Sequence, residues 1–455
     1  MCPINPKSKI QNQRGLTLRE YGPEEYARDF LILEMGIVVV ALTFAVMGAS
    51  GSSTVNDAVN SRLATVYSLT HFGTWRIDRP LDKEPIPFEQ GTIDKVMVGG
   101  RLISSKPRVL PLLMTAEYLL LNKTLGWNLD DDHQRDRSVR VMSVSLIGGS
   151  YIVAIIFFLK TLRLFVADPM SRAVLLFSLA FCTQLWGYAT HINNHVPAAG
   201  MIVVALYFAL GVGAGKLTPA RWRFAAFGFF GGLVPTLDLP GTVFVALAGL
   251  YLLGKFPRKT LVWCTLGAAI PIGVHCASML AATGSILPVQ TRDEAYLYEG
   301  SYWRNPQGID ALNEPKGTYL FHMILGRSGL FSLYPVLLVG VAATLRALLR
   351  KEFAYRGHVL VGALGFLILT AYYLLKTNNY GGEAYGFRWY IVAMPVLLLM
   401  GAPILANLRA RWKWLFVCAM IAISFYSAFE CAKSPWGANN AWTSRLFLGP
   451  SYGPE

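Results

Sequence analysis

The sequence predicts an all-α integral membrane protein, with about eleven transmembrane helices and a large outer loop after the first of them. Two observations lead to this prediction. Charged residues make up only 15% of the 455 residues, whereas an ordinary soluble domain has roughly 25%. Apolar runs of about 20 residues, the length that crosses about 30 Å of hydrocarbon, recur along the chain. The composition therefore excludes an ordinary soluble enzyme.

The first 28 residues are polar and basic, without the apolar core and cleavage site of a signal peptide. We therefore expect residues 1–28 to form a cytoplasmic segment and the first apolar run to be an uncleaved anchor.

Eleven apolar runs are candidate transmembrane helices, and they predict a single polytopic domain over residues 29–429. Their approximate limits are residues 30–48, 141–164, 173–187, 198–214, 224–237, 241–253, 261–282, 330–349, 359–375, 390–408 and 414–429. The fifth and sixth runs are short, and joining them into one span would place every later basic cluster outside. We therefore predict two short helices that meet at Asp238.

Lys and Arg recur in every second connection, whereas the short connections at residues 191–196 and 237–240 contain none. Because short cytoplasmic loops are enriched in Lys and Arg, this alternation places the N-terminus in the cytoplasm. Outer loops then follow at residues 50–140, 284–329 and 377–388, and residues 430–455 form an outer tail. The sequence thus predicts a multi-pass protein of the inner (plasma) membrane with periplasmic loops. Its net charge of +14 reflects topology and requires no nucleic-acid partner.

The first outer loop contains an amphipathic helical pattern, with apolar residues at Val59, Leu63, Val66 and Leu69. Such a helix is expected to lie along the membrane surface. Asp57 would stand near its N-terminus, where it serves either as a helix cap or as a reactive carboxylate.

A second surface helix is predicted at residues 110–125, directly after Lys106 and Pro107. Its N-terminal N–H groups and Lys106 suit an anion such as a lipid phosphate. Alternatively, Lys106 only extends towards the lipid head groups.

Four short motifs follow one another in the first outer loop. They are Ser-Arg-x-Ala-x-Val from Ser61, Gly-Thr-Trp-x-Ile-Asp from Gly73, Thr-Ile-Asp-Lys from Thr92 and Ser-Lys-Pro from Ser105. Their order resembles the polytopic GT-C glycosyltransferases that use polyprenyl-phosphate sugars, the protein O-mannosyltransferase-like and aminoarabinose-transferase-like enzymes. Residues 188–199, 326–335 and 380–388 also resemble stretches of that family.

The resemblance implies transfer of a sugar from a polyprenyl-phosphate donor to an acceptor hydroxyl on the outer face, with inversion. The implied partners are this donor, a glycan, lipid or protein acceptor, and the bilayer. Arg62 and Lys106 match the family residues on the phosphate side, and a carboxylate of the first outer loop acts as the base.

The chain departs from the family at the acidic pair that precedes Arg62, because Val59 and Asn60 occupy those positions. Neither side chain can accept a proton from a hydroxyl at neutral pH. We expect Asp57 to be the base, with Asp94 and then Asp78 as alternatives.

Other candidates lie in the remaining outer segments. Arg388 and His195 are expected to bind the donor phosphate, although Arg388 also suits an interface anchor and His195 a polar helix end. The expected sugar or acceptor contacts are His191, Asn194, Tyr302 and Trp303, although an aromatic belt explains part of this composition. The spacing of the two histidines also suits a metal on a helix. The sequence identifies no cofactor and leaves a divalent cation open.

Two other functions compete with the transferase. A transporter or flippase of lipid-linked sugars should have broken helices and polar groups near the bilayer midplane. A non-catalytic assembly scaffold would leave the grouping of Arg62, Asp94 and Lys106 unexplained.

Overall fold

The computed structural model describes residues 23–50, 56–78, 87–437 and 439–447. Most of the predicted cytoplasmic segment, parts of the first outer loop and the end of the predicted tail lie outside these residues.

The described residues form α-helices and one hairpin of two antiparallel strands. In chain order the elements are α1 (Pro23–Ser50), α2 (Asp57–Phe72), β1 (Lys95–Val98), β2 (Arg101–Ser104), α3 (Val109–Leu125), α4 (Asp132–Met142), α5 (Gly149–Phe165), α6 (Pro169–Phe181), α7 (Gln184–Tyr188), α8 (His195–Gly213), α9 (Arg221–Leu237), α10 (Thr242–Lys255), α11 (Pro257–Lys259), α12 (Thr265–Thr283), α13 (Lys316–Ile324), α14 (Leu330–Leu333), α15 (Leu338–Leu349), α16 (Arg356–Lys376), α17 (Met394–Leu405), α18 (Arg411–Lys433) and α19 (Trp442–Leu446).

Short helical segments of other types connect these elements. Segments of π-helix join α4 to α5 and α11 to α12, at Ser143–Gly148 and Thr260–Cys264. The 3-10 turns are Leu239–Gly241, Val289–Thr291, Asp293–Ala295, Tyr302–Arg304, Gly308–Ala311, Pro335–Leu337 and Arg388–Val392.

The all-α membrane class is confirmed. In the described part of the chain, six continuous helical segments are long and apolar enough to cross a membrane: Arg28–Gly48, Asp132–Phe165, His195–Gly213, Pro257–Thr283, Arg356–Lys376 and Arg411–Lys433. Three shorter apolar helices accompany them, Leu239–Lys255, Pro335–Leu349 and Met394–Leu405. Each of the eleven predicted runs contains helix, but the number of spans stays a prediction.

The predicted break at Asp238 is confirmed. α9 ends at Leu237, Asp238 has extended backbone angles (φ −145°, ψ 93°), and a 3-10 turn leads into α10. The two helices therefore meet at one end of the bundle, where Asp238 is buried with 5% of its surface exposed.

The helices approach one another closely where glycines face a neighbouring backbone. A Cβ atom on Gly228 of α9 would lie 2.0 Å from the carbonyl oxygen of Cys264, and one on Gly267 of α12 equally close to that of Ala225. Gly228 and Gly232 lie one turn apart on α9, the spacing that membrane helices use for backbone contact. α9 packs on α12, and the mostly buried α8 packs on α5 and α9 at the centre of the bundle.

The helix predicted at Val59–Leu69 is present as α2, but it does not lie with one face open at a surface. Val59, Leu63 and Val66 are buried against the core. The opposite face is covered by the hairpin and by the segment at Arg76. The Ser61 hydroxyl lies 2.6 Å from the Ser104 hydroxyl of the hairpin, and Ser68 donates to the Arg76 carbonyl oxygen. Small hydroxyls on the second face allow this cover without unpaired polar groups.

The hairpin belongs to the first outer loop and packs against the second. Gly99 and Gly100 form its turn, with φ angles of 57° and 72° that glycine adopts without strain. Val96 and Ile103 of the hairpin pack against Val289 of the second outer loop. α3 follows and exposes leucines along one face, as expected of a helix against lipid.

Candidate active site

A cavity of about 810 Å³ opens where the outer loops meet the ends of the helices. Its wall combines the start of α2, the segment after β2, the start of α8 and the break at Asp238. Residues 288–303 and 377–389 close the other side. This volume falls within the range of about 300–1,000 Å³ that is typical of ligand sites.

Arg62 is fixed in the cavity wall by α2 and α8. Only 2% of its surface is exposed. Its Nη1 donates to the Ala58 carbonyl oxygen at 2.6 Å, and its Nη2 donates to the amide oxygen of Asn194. Asn194 in turn donates to the Leu237 carbonyl oxygen at 2.9 Å. The guanidinium therefore has a defined orientation, and Asn194 is its positioning partner.

Lys106 forms an ion pair with Asp94, with 2.6 Å between Nζ and Oδ2. Asp94 follows the turn at Thr92, whose hydroxyl accepts from the Asp94 N–H at 2.9 Å. Two residues that the sequence placed in different roles, base and phosphate ligand, are thus direct partners.

The cations of the cavity are close enough to destabilise one another. The pKa of Arg62 is lowered to about 10, chiefly by burial; Asp94 opposes the change and Arg388 adds to it. Burial also lowers the pKa of Lys106, again with a contribution from Arg388 and from Arg62. Asp94 is the carboxylate that compensates both, so the cluster of Arg62, Lys106 and Arg388 favours an anion.

Asp57 lines the same cavity and is exposed to it. The interpretation of Asp57 as the helix cap is wrong, because the amide oxygen of Asn56 accepts from the Val59 N–H at 3.0 Å. Asp57 instead accepts from the Ile93 N–H at 2.8 Å. Partial burial raises the pKa of Asp57, and Asp94 adds to the rise, while the Ile93 hydrogen bond and Lys106 oppose it.

The two residues at the family's acidic positions have structural contacts here. Val59 is buried in the core with 2% exposure. Asn60 donates through Nδ2 to the Gly91 carbonyl oxygen at 2.6 Å, which ties the loop before Asp94 to α2. Among the described residues of the first outer loop, Asp57 and Asp94 are consequently the carboxylates that line the cavity.

His195 and Asp238 form a second pair in the wall, with 2.6 Å between Nδ1 and Oδ2. Sequence reasoning expected His195 at the site but treated Asp238 only as the break between two short helices. The signal was present, since Asp238 lies between Pro235 and Pro240 in an outer connection without Lys or Arg.

Arg388 enters the cavity from the glycine-rich segment before α17. Its guanidinium carbon lies 5.3 Å from the ring centre of Trp436. Gly381 has a φ of 89°, and a Cβ atom there would lie 3.3 Å from the Arg388 Cγ. The glycine therefore leaves room for the arginine side chain.

Three predicted residues do not line the cavity. Asp78 pairs with Arg76 at 2.7 Å in the first outer loop. His191 is buried, with its Nδ1 3.0 Å from the Thr190 hydroxyl. Tyr302 donates to the Gln307 carbonyl oxygen at 3.0 Å. Its neighbour Trp303 does line the cavity and donates to the Ile93 carbonyl oxygen at 3.0 Å.

Among the described residues, no group of three or more His, Cys, Asp and Glu side chains is placed to hold a metal ion. The paired spacing of His191 and His195 leads to separate hydrogen bonds, with Thr190 and with Asp238.

No family model matches the chain, and no curated protein sequence matches it. Solved structures do. The oligosaccharyltransferase of Archaeoglobus fulgidus in its apo form matches with a TM-score of 0.52 and 14% identity, over 89% of this chain and 56% of that one. The chain has the GT-C fold.

Two further GT-C structures are similar. ArnT from Cupriavidus metallidurans bound to undecaprenyl phosphate matches with a TM-score of 0.49 and 12% identity, over 88% of this chain and 64% of ArnT. AglB from Archaeoglobus fulgidus, in complex with an inhibitory peptide and a dolichol-phosphate, matches with a TM-score of 0.47 and 14% identity, over 89% of this chain and 56% of AglB. This chain thus spans less than two thirds of each matched structure.

Proposed function

We propose that this protein is a membrane glycosyltransferase. It moves a sugar from a polyprenyl-phosphate-linked donor to an acceptor hydroxyl on the outer face of the membrane, with inversion at the anomeric carbon. The observation that supports this most strongly is one cavity that contains both a cation cluster (Arg62, Lys106 and Arg388) and the carboxylate of Asp57.

The cation cluster suits the donor phosphate. Breaking the bond between the anomeric carbon and the phosphate oxygen leaves negative charge on the phosphate, and nearby cations stabilise that charge. Arg62 offers a guanidinium held by Ala58 and Asn194. Lys106 has three N–H donors, so it can bind a phosphate while it keeps its contact with Asp94.

Asp57 suits the acceptor side of the reaction. As the acceptor oxygen forms its bond to the anomeric carbon, its proton passes to the Asp57 carboxylate and the phosphate leaves from the opposite face. A base within about 3 Å of the hydroxyl can perform this step. Its raised pKa makes it a better proton acceptor than an ordinary Asp.

The fold supports the class of reaction, since the similar structure with a TM-score above 0.5 is that of an oligosaccharyltransferase. The apolar helices bring the cavity next to lipid, where a polyprenyl tail would lie. The N-terminus is cytoplasmic in this proposal, so the cavity faces the periplasm. Residues 29–429 act as one catalytic unit.

The transfer assay uses protein in liposomes with a polyprenyl-phosphate sugar donor and measures glycosylated acceptor. Asp57→Asn keeps an oxygen that accepts from the Ile93 N–H but removes the base. We expect it to lower the transfer rate by about 100-fold or more while donor affinity is retained.

Asp78→Asn is the matched control, because Asp78 is an acid of the same loop outside the cavity. It should retain wild-type transfer. Full activity of Asp57→Asn, together with inactive Asp94→Asn, would assign the base to Asp94 instead. Movement of the donor lipid across the bilayer, without transfer of its sugar, would support the transporter alternative.

A further inference from the structure

A second, smaller cavity lies at the other end of the bundle. Its volume is about 360 Å³, and residues of α5, α8, α10, α16 and α17 line it. α10 begins beside Asp238 at the outer cavity and ends at Lys255, and α16 runs from Arg356 near this groove to Lys376 in the outer cavity. The two cavities are therefore separated by the length of a helix.

The wall of this groove is mostly apolar. Its contributors include Leu206, Leu210, Phe244, Leu247, Val396 and Leu399, and none of its lining residues is charged. An uncharged, apolar groove between membrane helices is complementary to a hydrocarbon chain.

One end of the groove is polar and incompletely hydrogen-bonded. Among the described residues, the Tyr251 hydroxyl and the His358 Nε2 have no hydrogen-bond partner, although both atoms are buried. The two rings pack edge to face, with centroids 5.0 Å apart. Buried polar atoms without partners are unfavourable, so these two groups suit a polar ligand that enters the groove from this end.

The surroundings of this polar end are basic. Lys255 donates to the Gly213 carbonyl oxygen at 2.7 Å, and its Nζ lies 5.0 Å from the centre of the Tyr251 ring. Arg356 opens α16 two residues before His358. Basic pockets between membrane helices on the cytoplasmic side bind anionic lipid head groups. The predicted topology places this end of the bundle on that side.

The backbone also brings aromatic groups to this end. Tyr355 lines the groove and has a left-handed backbone conformation, with a φ of 56°. Non-glycine residues rarely adopt this conformation. It places the Tyr355 ring 6.1 Å from that of His358, so the groove ends in a small cluster of hydrogen-bonding rings.

We propose that this groove binds an anionic glycerophospholipid. One acyl chain lies along the apolar wall, and the head-group phosphate accepts hydrogen bonds from Tyr251 and His358 beside Lys255. Charge complementarity at one end and the apolar wall along the rest argue for this occupant. The proposal is independent of the transfer reaction, whose cation cluster lies in the outer cavity.

The test measures the affinity of the first bound lipid by native mass spectrometry of the purified, delipidated protein. Phosphatidylglycerol is the probe, and phosphatidylcholine and undecaprenyl phosphate are the comparisons. We expect wild-type protein to prefer phosphatidylglycerol over phosphatidylcholine. The double variant Tyr251→Phe/His358→Phe keeps both rings but removes the polar atoms, and it should bind phosphatidylglycerol about tenfold more weakly.

A second variant fills the groove without altering its polar end. Ala406 lines the groove and is exposed, so Ala406→Trp should also weaken binding while the protein remains folded. Tyr426→Phe, an exposed position on α18, is the control and should bind as wild type.

Unchanged affinity in both groove variants, or equal affinity for phosphatidylcholine, would overturn the proposal. Tighter binding of undecaprenyl phosphate than of phosphatidylglycerol, lost in the same variants, would overturn it in favour of the polyprenyl lipid.

Discussion

Lys106 connects the two halves of the proposed chemistry. Its ammonium group pairs with Asp94 and lies in the same cation cluster as Arg62 and Arg388. It also lowers the pKa of Asp57 by its charge. A change at Lys106 should therefore affect the phosphate side and the base side in ways that separate experiments distinguish.

The pH dependence of transfer reports the base side. Because the pKa of Asp57 is raised above 3.8, activity should fall on the acid side at a pH above that value as Asp57 takes up a proton. Lys106→Met removes a positive charge that favours the ionised carboxylate. The acid limb of the kcat/KM profile should therefore move to higher pH, whatever the change in absolute rate.

Lys95→Met is the control for this prediction. Lys95 pairs with Glu89 in the same loop but does not line the cavity. The acid limb of the kcat/KM profile of Lys95→Met should therefore coincide with that of the wild type. A Lys106→Met profile that coincides with wild type would show that Asp57 is not the titrating base.

Donor affinity reports the phosphate side. Arg388→Gln removes a cation that interacts with both Arg62 and Lys106. Hydrogen bonds to charged groups contribute about 1.5–3 kcal/mol, so the dissociation constant for undecaprenyl phosphate should rise by about 10–100-fold. Lys376→Gln also removes a cation from the cavity wall but should have a much smaller effect, because Lys376 is exposed. An equal rise of the dissociation constant in both variants would mean that the cavity attracts the phosphate only through its overall positive charge.

Eight of the eleven residues selected by sequence reasoning line the cavity, because motif order placed Arg62, Lys106 and Asp57 in one loop. It could not determine that two of three candidate carboxylates, Asp57 and Asp94, line the cavity, since that depends on how the loop folds over α2. Asp78 turns to Arg76, and Asp238 meets His195 across 43 residues of chain. Pairings between distant segments of this kind carry no local signal.

At the scale of elements, a buried ion cluster joins the first helices at the end away from the outer cavity. Glu34 of α1 accepts from Arg163 of α5 at 2.6 Å and from Arg172 of α6 at 2.8 Å. Only 1% of the Glu34 side chain is exposed. The two arginines belong to one of the connections in which Lys and Arg recur. Their shared carboxylate fixes how α1 packs on α5 and α6.

Removing the charge of Glu34 should loosen this packing. Glu34→Gln leaves two arginines without their carboxylate, and breaking a buried ion pair costs about 3–5 kcal/mol. We expect a loss of stability towards the lower end of this range, because the Arg163 side chain is 41% exposed. The measurement is the thermal unfolding midpoint in detergent. Glu352→Gln, at an exposed position, should leave the midpoint unchanged; an unchanged midpoint for Glu34→Gln as well would contradict this role.

Helices were predictable at this scale, and the hairpin was missed. Apolar runs identify helices in the membrane, where every backbone group must be satisfied within its own segment. Lys95–Ser104 is short, and its strands look like part of a loop. The pair Gly99-Gly100 between Val98 and Arg101 was the available signal. The burial of α2 could not be anticipated from its own sequence, because the hairpin that covers it is encoded further along the chain.

For the whole molecule, the orientation in the membrane is the main prediction from charge. Gln307 is exposed in the second outer loop, and Glu352 is exposed in a basic connection. With the six native cysteines replaced, a membrane-impermeant maleimide should label Gln307→Cys in intact cells. It should label Glu352→Cys only after permeabilisation. The reverse pattern would contradict the positive-inside assignment.

The fold class was predictable although no family model matches the chain. The similarity of fold extends to a solved structure at 14% identity, because the bilayer restricts the chain to spanning helices. Val59 and Asn60, at the positions where the sequence resemblance led us to expect an acidic pair, here pack α2 and hold Gly91. The chemistry of the site therefore depends on the cavity as a whole.

In the proposed reaction, one outer cavity holds a lipid phosphate opposite Asp57. The most direct measurement is a cryo-EM map of the protein in a lipid nanodisc with bound undecaprenyl phosphate. We predict phosphate density within hydrogen-bonding distance of Arg62, Lys106 and Arg388, with the isoprenoid tail leaving towards lipid. A well-resolved head group that contacts none of these three residues would contradict the account.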